Sequence, residues 1–218
     1  MEKLVSVSTE PVKNLEELIS YGKSMFGVAD YMHCDVMSDN FVGRNLLGLE
    51  EIKTLNQKCG TLLDVHLMTQ NLKDKFFEYI DAGANILTVH FESFKNKNEL
   101  INTLKKIREK HALAGLSFVP STDLQEILPY LRYCDLVLVM SVVPGKSGQE
   151  FIPESYYKVK YLKNYITKNN LRVLIEVDGG ITPEISKKLY ENGANIVVSG
   201  SYVYKSQDRQ NAINILKQ

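Results

Sequence analysis

Pairs of histidine and acidic residues, spaced two positions apart, recur in this sequence within otherwise apolar segments. His33 and Asp35 lie in YMHCDVM, and Asp64 and His66 lie in LLDVHLM. Residues i and i+2 of a β-strand point to the same side, so each segment would present an imidazole and a carboxylate together. Such a pair is either a structural ion pair or part of a metal site, because both groups bind divalent transition metals.

Two further segments carry the same kind of spacing. His90 and Glu92 occur in TVHFES, and Glu176 and Asp178 occur in IEVDGG. Histidines and carboxylates that converge from several strands match the ligand set of a divalent first-row metal. Spacing alone does not choose between Asp64 and His66 as a ligand.

The secondary-structure elements that must position these residues follow from the alternation of apolar and amphipathic segments along the chain. Short apolar runs predict eight strands, at 3–8, 30–36, 62–67, 85–90, 113–119, 134–140, 172–177 and 195–199. Amphipathic segments separate them; for example, Leu15, Leu18, Ile19 and Gly22 fit one helical face, and Leu72, Phe76, Phe77 and Ile80 fit another.

This alternation predicts an α/β fold of one domain over residues 1–218: a (β/α)8 TIM barrel with a parallel eight-stranded core. A doubly wound open sheet is the alternative, but its phosphate-binding fingerprint is missing after the first strand.

Three glycine-rich segments follow the last predicted strands. They are VVPGKSGQEF (142–151), DGG (178–180) and SGS (199–201). Backbone N–H groups of such loops can hold a phosphate, and barrels commonly build phosphate sites after the seventh and eighth strands. An ordinary glycine-rich turn is the alternative for each loop, but three adjacent loops favour a phosphorylated small substrate.

Met37, Met68 and Met140 each come at or just past the end of an apolar run. Their side chains would either cover the site with a polarizable surface that excludes water or simply fill space in the core.

Composition restricts the class of protein further. The 218 residues carry a formal net charge of zero, which gives no indication of a nucleic-acid partner. The apolar runs are too short to span a bilayer, and no basic-then-apolar leader opens the chain. Three widely spaced cysteines without a C-x-x-C motif indicate a reducing compartment. We therefore expect a cytoplasmic protein without membrane or nucleic-acid partners, and a homo-oligomer.

Taken together, these segments resemble the ribulose-phosphate 3-epimerase family. The resemblance lies in HCDVM (33–37), DVHLM (64–68), HFE (90–92), VLVMSVVPGKSGQEFIPE (137–154), EVDGG (176–180) and GANIVVSGS (193–201). They occur in the family's order and at its spacing over nearly the whole chain. The resemblance implies an isomerase of the pentose phosphate pathway that interconverts D-ribulose 5-phosphate and D-xylulose 5-phosphate.

The resemblance also implies roles for individual residues. One divalent metal ion (zinc, iron(II), manganese or cobalt) would be bound by His33, Asp35, His66 and Asp178. Asp35 would be the proton acceptor and Asp178 the proton donor, on opposite faces of a planar enediolate intermediate. Substrate and phosphate would contact a larger set, namely Ser8 (or Ser6), His66, Gly145, Lys146, Ser147, Gly148, Gly179, Gly180, Gly200 and Ser201.

The sequence departs from the family's usual pattern around the predicted pocket. MSDNFVGR (37–44) replaces a usual MDGHFVPN, PGKSGQ (144–149) replaces a usual PGFGGQ, and FVPST (118–122) replaces a more usual Asn-Pro or Lys-Pro. The predicted ligands are unaffected. These changes leave open a six-carbon substrate such as allulose 6-phosphate, and also a barrel that binds metal and sugar phosphate without turnover.

Overall fold

Eight parallel strands close into a barrel, in the order in which they occur along the chain. The structure is a computed structural model that describes residues 2–43, 46–70, 75–145 and 148–218. The strands are β1 (Leu4–Ser8), β2 (Tyr31–Met37), β3 (Leu63–Met68), β4 (Ala84–His90), β5 (Leu113–Phe118), β6 (Leu136–Met140), β7 (Leu174–Asp178) and β8 (Ile196–Ser199). The predicted TIM-barrel fold is therefore confirmed.

Helices cover the outside of the barrel. Those in the described residues are α1 (Leu15–Met25), α2 (Asp39–Val42), α3 (Leu49–Cys59), α4 (Phe76–Asp81), α5 (Lys97–Glu109), α6 (Leu124–Ile127), α7 (Glu154–Lys168), α8 (Pro183–Asn192), α9 (Ser201–Lys205) and α10 (Arg209–Leu216). The helix after β5 is short and changes to a 3₁₀ segment, Leu128–Tyr133. Pro129 explains the change, because it has no N–H to continue α-helical hydrogen bonding.

The helical faces predicted from apolar spacing agree with the structure in part. In α1, Leu18 and Gly22 are buried together with Tyr21 and Met25, whereas Leu15 at the first position is 48% exposed. Position 72, predicted to lie on another helical face, falls outside the described residues. None of the helices in the described ranges is long and apolar enough to cross a membrane.

The barrel interior is layered. Its lower part is apolar and includes Leu4, Tyr31, Leu136, Leu174 and Ile196. Two positions further along several of these strands, the residues that share the same face are polar, by the two-residue alternation of a strand. Their side chains are listed from the lower to the upper level as Ser6, His33, Asp64 and Glu176, then Ser8, Asp35, His66 and Asp178. The fold thus places the chemistry-bearing residues at the carboxyl ends of the strands.

Candidate metal and substrate site

Four side chains that the sequence predicted as ligands meet at the barrel mouth. His33 and Asp35 come from β2, His66 from β3, and Asp178 is the last residue of β7. Asp35 and His66 are directly paired in register between the neighbouring strands β2 and β3. Each of the four offers one donor atom, and these atoms all lie within 4.8 Å of one another. The geometry is therefore suited to a single ion held by all four.

Asp64 lies beneath these four candidate ligands and contacts the ring of His33. The His33 Nδ1 atom is 2.6 Å from Asp64 Oδ2, and the Ser6 hydroxyl donates to the same oxygen at 3.0 Å. Histidines that bind metals usually donate their second ring N–H to a carboxylate in this way. The donor atoms of Asp64 group with His33 and Glu176, whereas those of His66 group with the four ligands at the mouth, so the structure separates Asp64 and His66, which spacing alone could not do.

Glu176 belongs to a second buried group of donor atoms. It lies with His33 and Asp64 within the same 4.8 Å limit, and both of its carboxyl oxygens are buried. Burial, followed by repulsion from Asp64, raises the pKa of Glu176 well above its ordinary value. Its surroundings therefore disfavour the charged form of Glu176 beneath the mouth.

One ring nitrogen at the mouth, His33 Nε2, lacks the partner that a ligand-free site would need. The Asp35 Oδ1 atom is 3.3 Å from His33 Nε2 and 3.1 Å from His66 Nδ1. His33 Nε2 is buried and has no hydrogen-bond partner. A buried polar atom without a partner is unfavourable, and a cation placed among these donors would satisfy it. Two imidazoles and two carboxylates suit zinc, iron(II), manganese or cobalt.

The two candidate acid–base residues have pKa values displaced in opposite directions. Burial would raise the pKa of Asp35, but charge attraction and hydrogen bonds from His33 and His66 outweigh it and hold that pKa well below its ordinary value. Burial raises the pKa of Asp178 to about 7, and repulsion from Asp35 and Asp64 adds to the effect. Two carboxyl groups whose pKa values are displaced in opposite directions are suited to act as base and acid.

The two ligand histidines also differ. Burial opposes a charge on His33, yet the carboxylates of Asp64 and Asp35 prevail and raise its pKa well above the ordinary value. Burial lowers the pKa of His66 to about 4. The pKa values of the two candidate ligand histidines are therefore displaced in opposite directions.

A cavity of about 1060 Å³ opens above the four candidate ligands. Asp35 and Asp178 both line it, so their carboxyl groups can reach a bound molecule from two strands. The other predicted site residues in its wall are Ser8, Met37, Met68, Met140, Gly145, Gly148, Gly179, Gly180, Gly200 and Ser201. The predicted site residues Lys146 and Ser147 lie outside the described residues.

The predicted substrate contacts differ in whether they line the cavity or are buried behind its wall. Ser8 lines the cavity, whereas Ser6 is fully buried and bonded to Asp64. His66 is fully buried and lies behind Asp35 rather than in the cavity wall. The described geometry favours Ser8 over Ser6 as a substrate contact and gives His66 a place among the ligands.

The turn after β7 requires its two glycines. Gly179 and Gly180 have φ angles of +123° and +65°, which disfavour other residues. A Cβ atom on Gly180 would lie 2.7 Å from the backbone nitrogen of Phe151 in the loop after β6. The Ser141 hydroxyl lies 2.8 Å and 2.7 Å from the carbonyl oxygens of Asp178 and Gly179, so it fixes the same turn. Sequence analysis missed Ser141, because a serine after a strand is too common to be a signal.

The fold and the site define a class before any comparison is made: a (β/α)8 barrel with a candidate metal centre and glycine-rich loops at its carboxyl-terminal mouth. Among solved structures, it is similar to 3-keto-L-gulonate-6-phosphate decarboxylase from Vibrio cholerae, with a TM-score of 0.75 and 12% identity over 99% of this chain and 96% of that one. It is also similar to 3-hexulose-6-phosphate synthase from Salmonella typhimurium, with a TM-score of 0.71 and 17% identity over 99% and 97% of the two chains. At these identities the similarity supports the fold alone.

Sequence comparison is more specific. The model of the ribulose-phosphate 3 epimerase family matches residues 6–204. The ribulose-phosphate 3-epimerase of Aquifex aeolicus is 38% identical over 183 residues, which cover 84% of this chain and 81% of the relative. That of Synechocystis is 39% identical over 188 residues, which cover 85% and 80%. The chain belongs to the ribulose-phosphate 3-epimerase family.

Proposed function

We propose that this protein is a metal-dependent 3-epimerase of a ketose phosphate, with D-ribulose 5-phosphate and D-xylulose 5-phosphate as its substrate pair. The observation that carries the proposal is the placement of Asp35 and Asp178 in one cavity wall, with opposite pKa displacements, among the histidines His33 and His66. Relatives at 36–39% identity named ribulose-phosphate 3-epimerase support the same assignment.

Epimerisation at the carbon beside a ketone needs two proton-transferring groups. One group removes the proton from one face of that carbon, and the other returns a proton to the opposite face. Asp35 has the lowered pKa and is the base, whereas Asp178 has the raised pKa and is the acid. Positioned proton transfer contributes roughly 10²–10⁴ in rate for each group.

The metal ion has a limited role in this proposal. His33, Asp35, His66 and Asp178 would hold it, and when bound it would supply Lewis-acid stabilisation of negative charge on the ketose oxygens. The methionines Met37, Met68 and Met140 line the cavity as apolar wall, which limits water around the planar intermediate.

The phosphate of the substrate would lie against the glycine-rich turns. Gly179, Gly180, Gly200 and Ser201 belong to the turns after β7 and β8, and all four line the cavity. Backbone N–H groups of such turns bind anions without needing a charged side chain. Gly145 and Gly148 place the loop after β6 in the same wall.

The experiment is a coupled assay of the metal-loaded protein on ribulose 5-phosphate and on allulose 6-phosphate. Turnover of the pentose phosphate, with deuterium incorporated at C3 in deuterated water, is the expected result. Preference for allulose 6-phosphate would mean that the substrate is a six-carbon ketose phosphate. Binding of a sugar phosphate without turnover would mean that the protein is a binding protein and not an epimerase.

Asp178→Asn tests the two-base mechanism in the same assay, with the metal content of the variant measured alongside its turnover. The amide cannot carry the proton, so we expect the variant to fold and to lose epimerisation. Near-normal turnover by this variant would refute the two-base mechanism. Asp81→Asn is the matched control, because Asp81 is an exposed carboxylate outside the site.

A further inference from the structure

A chain of close polar contacts runs from the candidate metal centre around the barrel, from β3 to the carboxyl ends of β4 and β5. His66 Nδ1 is 3.1 Å from Asp35 Oδ1, and His66 Nε2 is 2.8 Å from His90 Nε2. His90 Nδ1 is in turn 3.1 Å from Glu92 Oε2. The imidazoles of His66 and His90 are both fully buried. The contacts on both sides of His90 each need one donor and one acceptor, so this part of the chain must have a direction.

The Glu92 end fixes that direction. Glu92 Oε1 accepts from the Val119 backbone N–H at 3.0 Å and from the Thr122 hydroxyl at 2.5 Å. Burial would raise the pKa of Glu92, but the hydrogen bonds from His90 and Thr122 outweigh it and lower the pKa to about 2. Glu92 is therefore a carboxylate that can only accept, and His90 Nδ1 must donate to it.

The direction then passes through both rings. A neutral His90 that donates from Nδ1 has a lone pair on Nε2, so the facing Nε2 of His66 must carry the hydrogen. The ring centroids of His66 and His90 are 4.8 Å apart while the nitrogens are 2.8 Å apart, so the rings meet edge to edge, as this hydrogen bond requires. His66 Nδ1 is left with a lone pair that faces the Asp35 carboxylate, and two acceptors in contact need a cation between them.

We propose that Glu92 and His90 are positioning residues that hold His66 in its Nε2–H tautomer, so that Nδ1 is available to the metal ion. This inference rests on the proposed metal-dependent function. Asp64 has the corresponding role for His33 and contacts it directly. The His33 Nδ1 atom lies 2.6 Å from Asp64, which leaves Nε2 available to the metal ion. Phe41 packs against His90 with ring centroids 4.9 Å apart and holds that ring in place.

Glu92→Gln tests the direction of the chain. The Val119 N–H continues to require an oxygen at the Oε1 position, so the amide NH₂ of the glutamine would face His90 Nδ1. His90 must then accept at Nδ1 and donate from Nε2, and His66 must accept at Nε2 and carry its hydrogen on Nδ1. The nitrogen that should bind the metal ion is thereby blocked.

The first readout is the affinity of metal-free protein for Co²⁺. Removing a hydrogen-bond partner of a metal ligand typically weakens metal binding about 10–100-fold, and we expect Glu92→Gln to fall in that range. Thr122→Val is the matched control, because it removes one donor to Glu92 but leaves the carboxylate and the Val119 N–H in place. Its affinity for Co²⁺ should stay close to that of the wild type. Unchanged affinity in Glu92→Gln would overturn the inference.

The second readout is the tautomer itself, from two-bond ¹H–¹⁵N correlation spectra of the histidine rings in metal-free protein. We expect Nε2–H on His66 in the wild type and Nδ1–H in Glu92→Gln. If the wild type shows Nδ1–H on His66, because His90 carries both of its protons, the inference is wrong even where Glu92→Gln does not fold. This readout is independent of turnover: a wild type that shows the expected tautomer but does not epimerise either sugar phosphate would refute the proposed function alone.

Discussion

Replacing Asp178 by asparagine should stabilise the metal-free protein while it abolishes turnover. Asp178 is a carboxyl group placed near Asp35 and Asp64, and burial together with their charges raises its pKa from 3.8 to about 7. Asparagine has nearly the same shape and no charge. The substitution therefore removes an unfavourable ionisation without creating a cavity.

The size of the effect follows from the pKa displacement. A displacement of about 3 units corresponds to roughly 4 kcal/mol at full strength. The Asp178 side chain has partial contact with solvent at the cavity wall, which screens its charge, so we expect about half of this, roughly 2 kcal/mol.

The sign of the pH dependence is also fixed. A group whose folded pKa is raised contributes stability at low pH, and this stability is lost as the pH rises through the folded pKa. Between about pH 3.5 and about pH 8, a range that spans both the unfolded and the folded pKa, the wild type should therefore lose roughly 2 kcal/mol that Asp178→Asn does not lose.

Urea denaturation of both proteins in the presence of a chelator measures this difference. The chain has 12 tyrosines and no tryptophan, so circular dichroism is the suitable signal. Asp81→Asn serves as the control and should differ from the wild type by an amount that does not vary with pH. If the difference between Asp178→Asn and the wild type is the same at both ends of the pH range, the raised pKa of Asp178 is wrong.

Three further predictions test the metal centre and the phosphate turn. His66→Ala should lose bound metal and epimerase activity together, and full metal occupancy measured by elemental analysis would contradict the ligand assignment. Co²⁺ affinity should rise with pH through the neutral range, because the metal displaces the proton that Asp64 and Asp35 hold on His33; a flat profile by titration calorimetry would argue against this. Gly180→Ala should raise KM for the sugar phosphate and should destabilise the fold by about 1–3 kcal/mol more than Gly27→Ala. Both glycines have similar φ angles, +65° and +71°, but only at Gly180 would a Cβ atom meet backbone, so equal losses in thermal unfolding would remove the contact with Phe151 as the cause.

The barrel could be predicted from the sequence because its signal is local and repeated. Each strand is an apolar run that is buried on both faces, and every predicted run lies within two residues of an observed strand at either end. The errors have local causes as well. Leu15 matched the helical spacing but lies at the first turn of α1, where the helix projects into solvent. Pro129 interrupts the helix after β5, which apolar spacing alone does not report.

The candidate site could be predicted only as far as positions along each strand. The two-residue spacing places Asp64 and His66 on one side of β3, but their different depths depend on how β3 is staggered against β2. That stagger pairs Asp35 with His66 and His33 with Asp64, so one residue of β3 reaches the cavity-lining carboxylate and the other reaches the buried histidine. The register is a property of the closed barrel, and no single strand carries it.

The sequence does not show which ring nitrogen of His66 is free to bind the metal ion. H-x-E at 90–92 shows that His90 and Glu92 are close, but it does not show which of them donates. The direction is set by Val119, the residue that follows β5, whose backbone N–H donates to the Glu92 carboxylate. A backbone amide is present at every non-proline position, so no residue type marks it as important. The sequence thus specifies which side chains surround the candidate metal centre, whereas contacts outside it decide which lone pairs face inward.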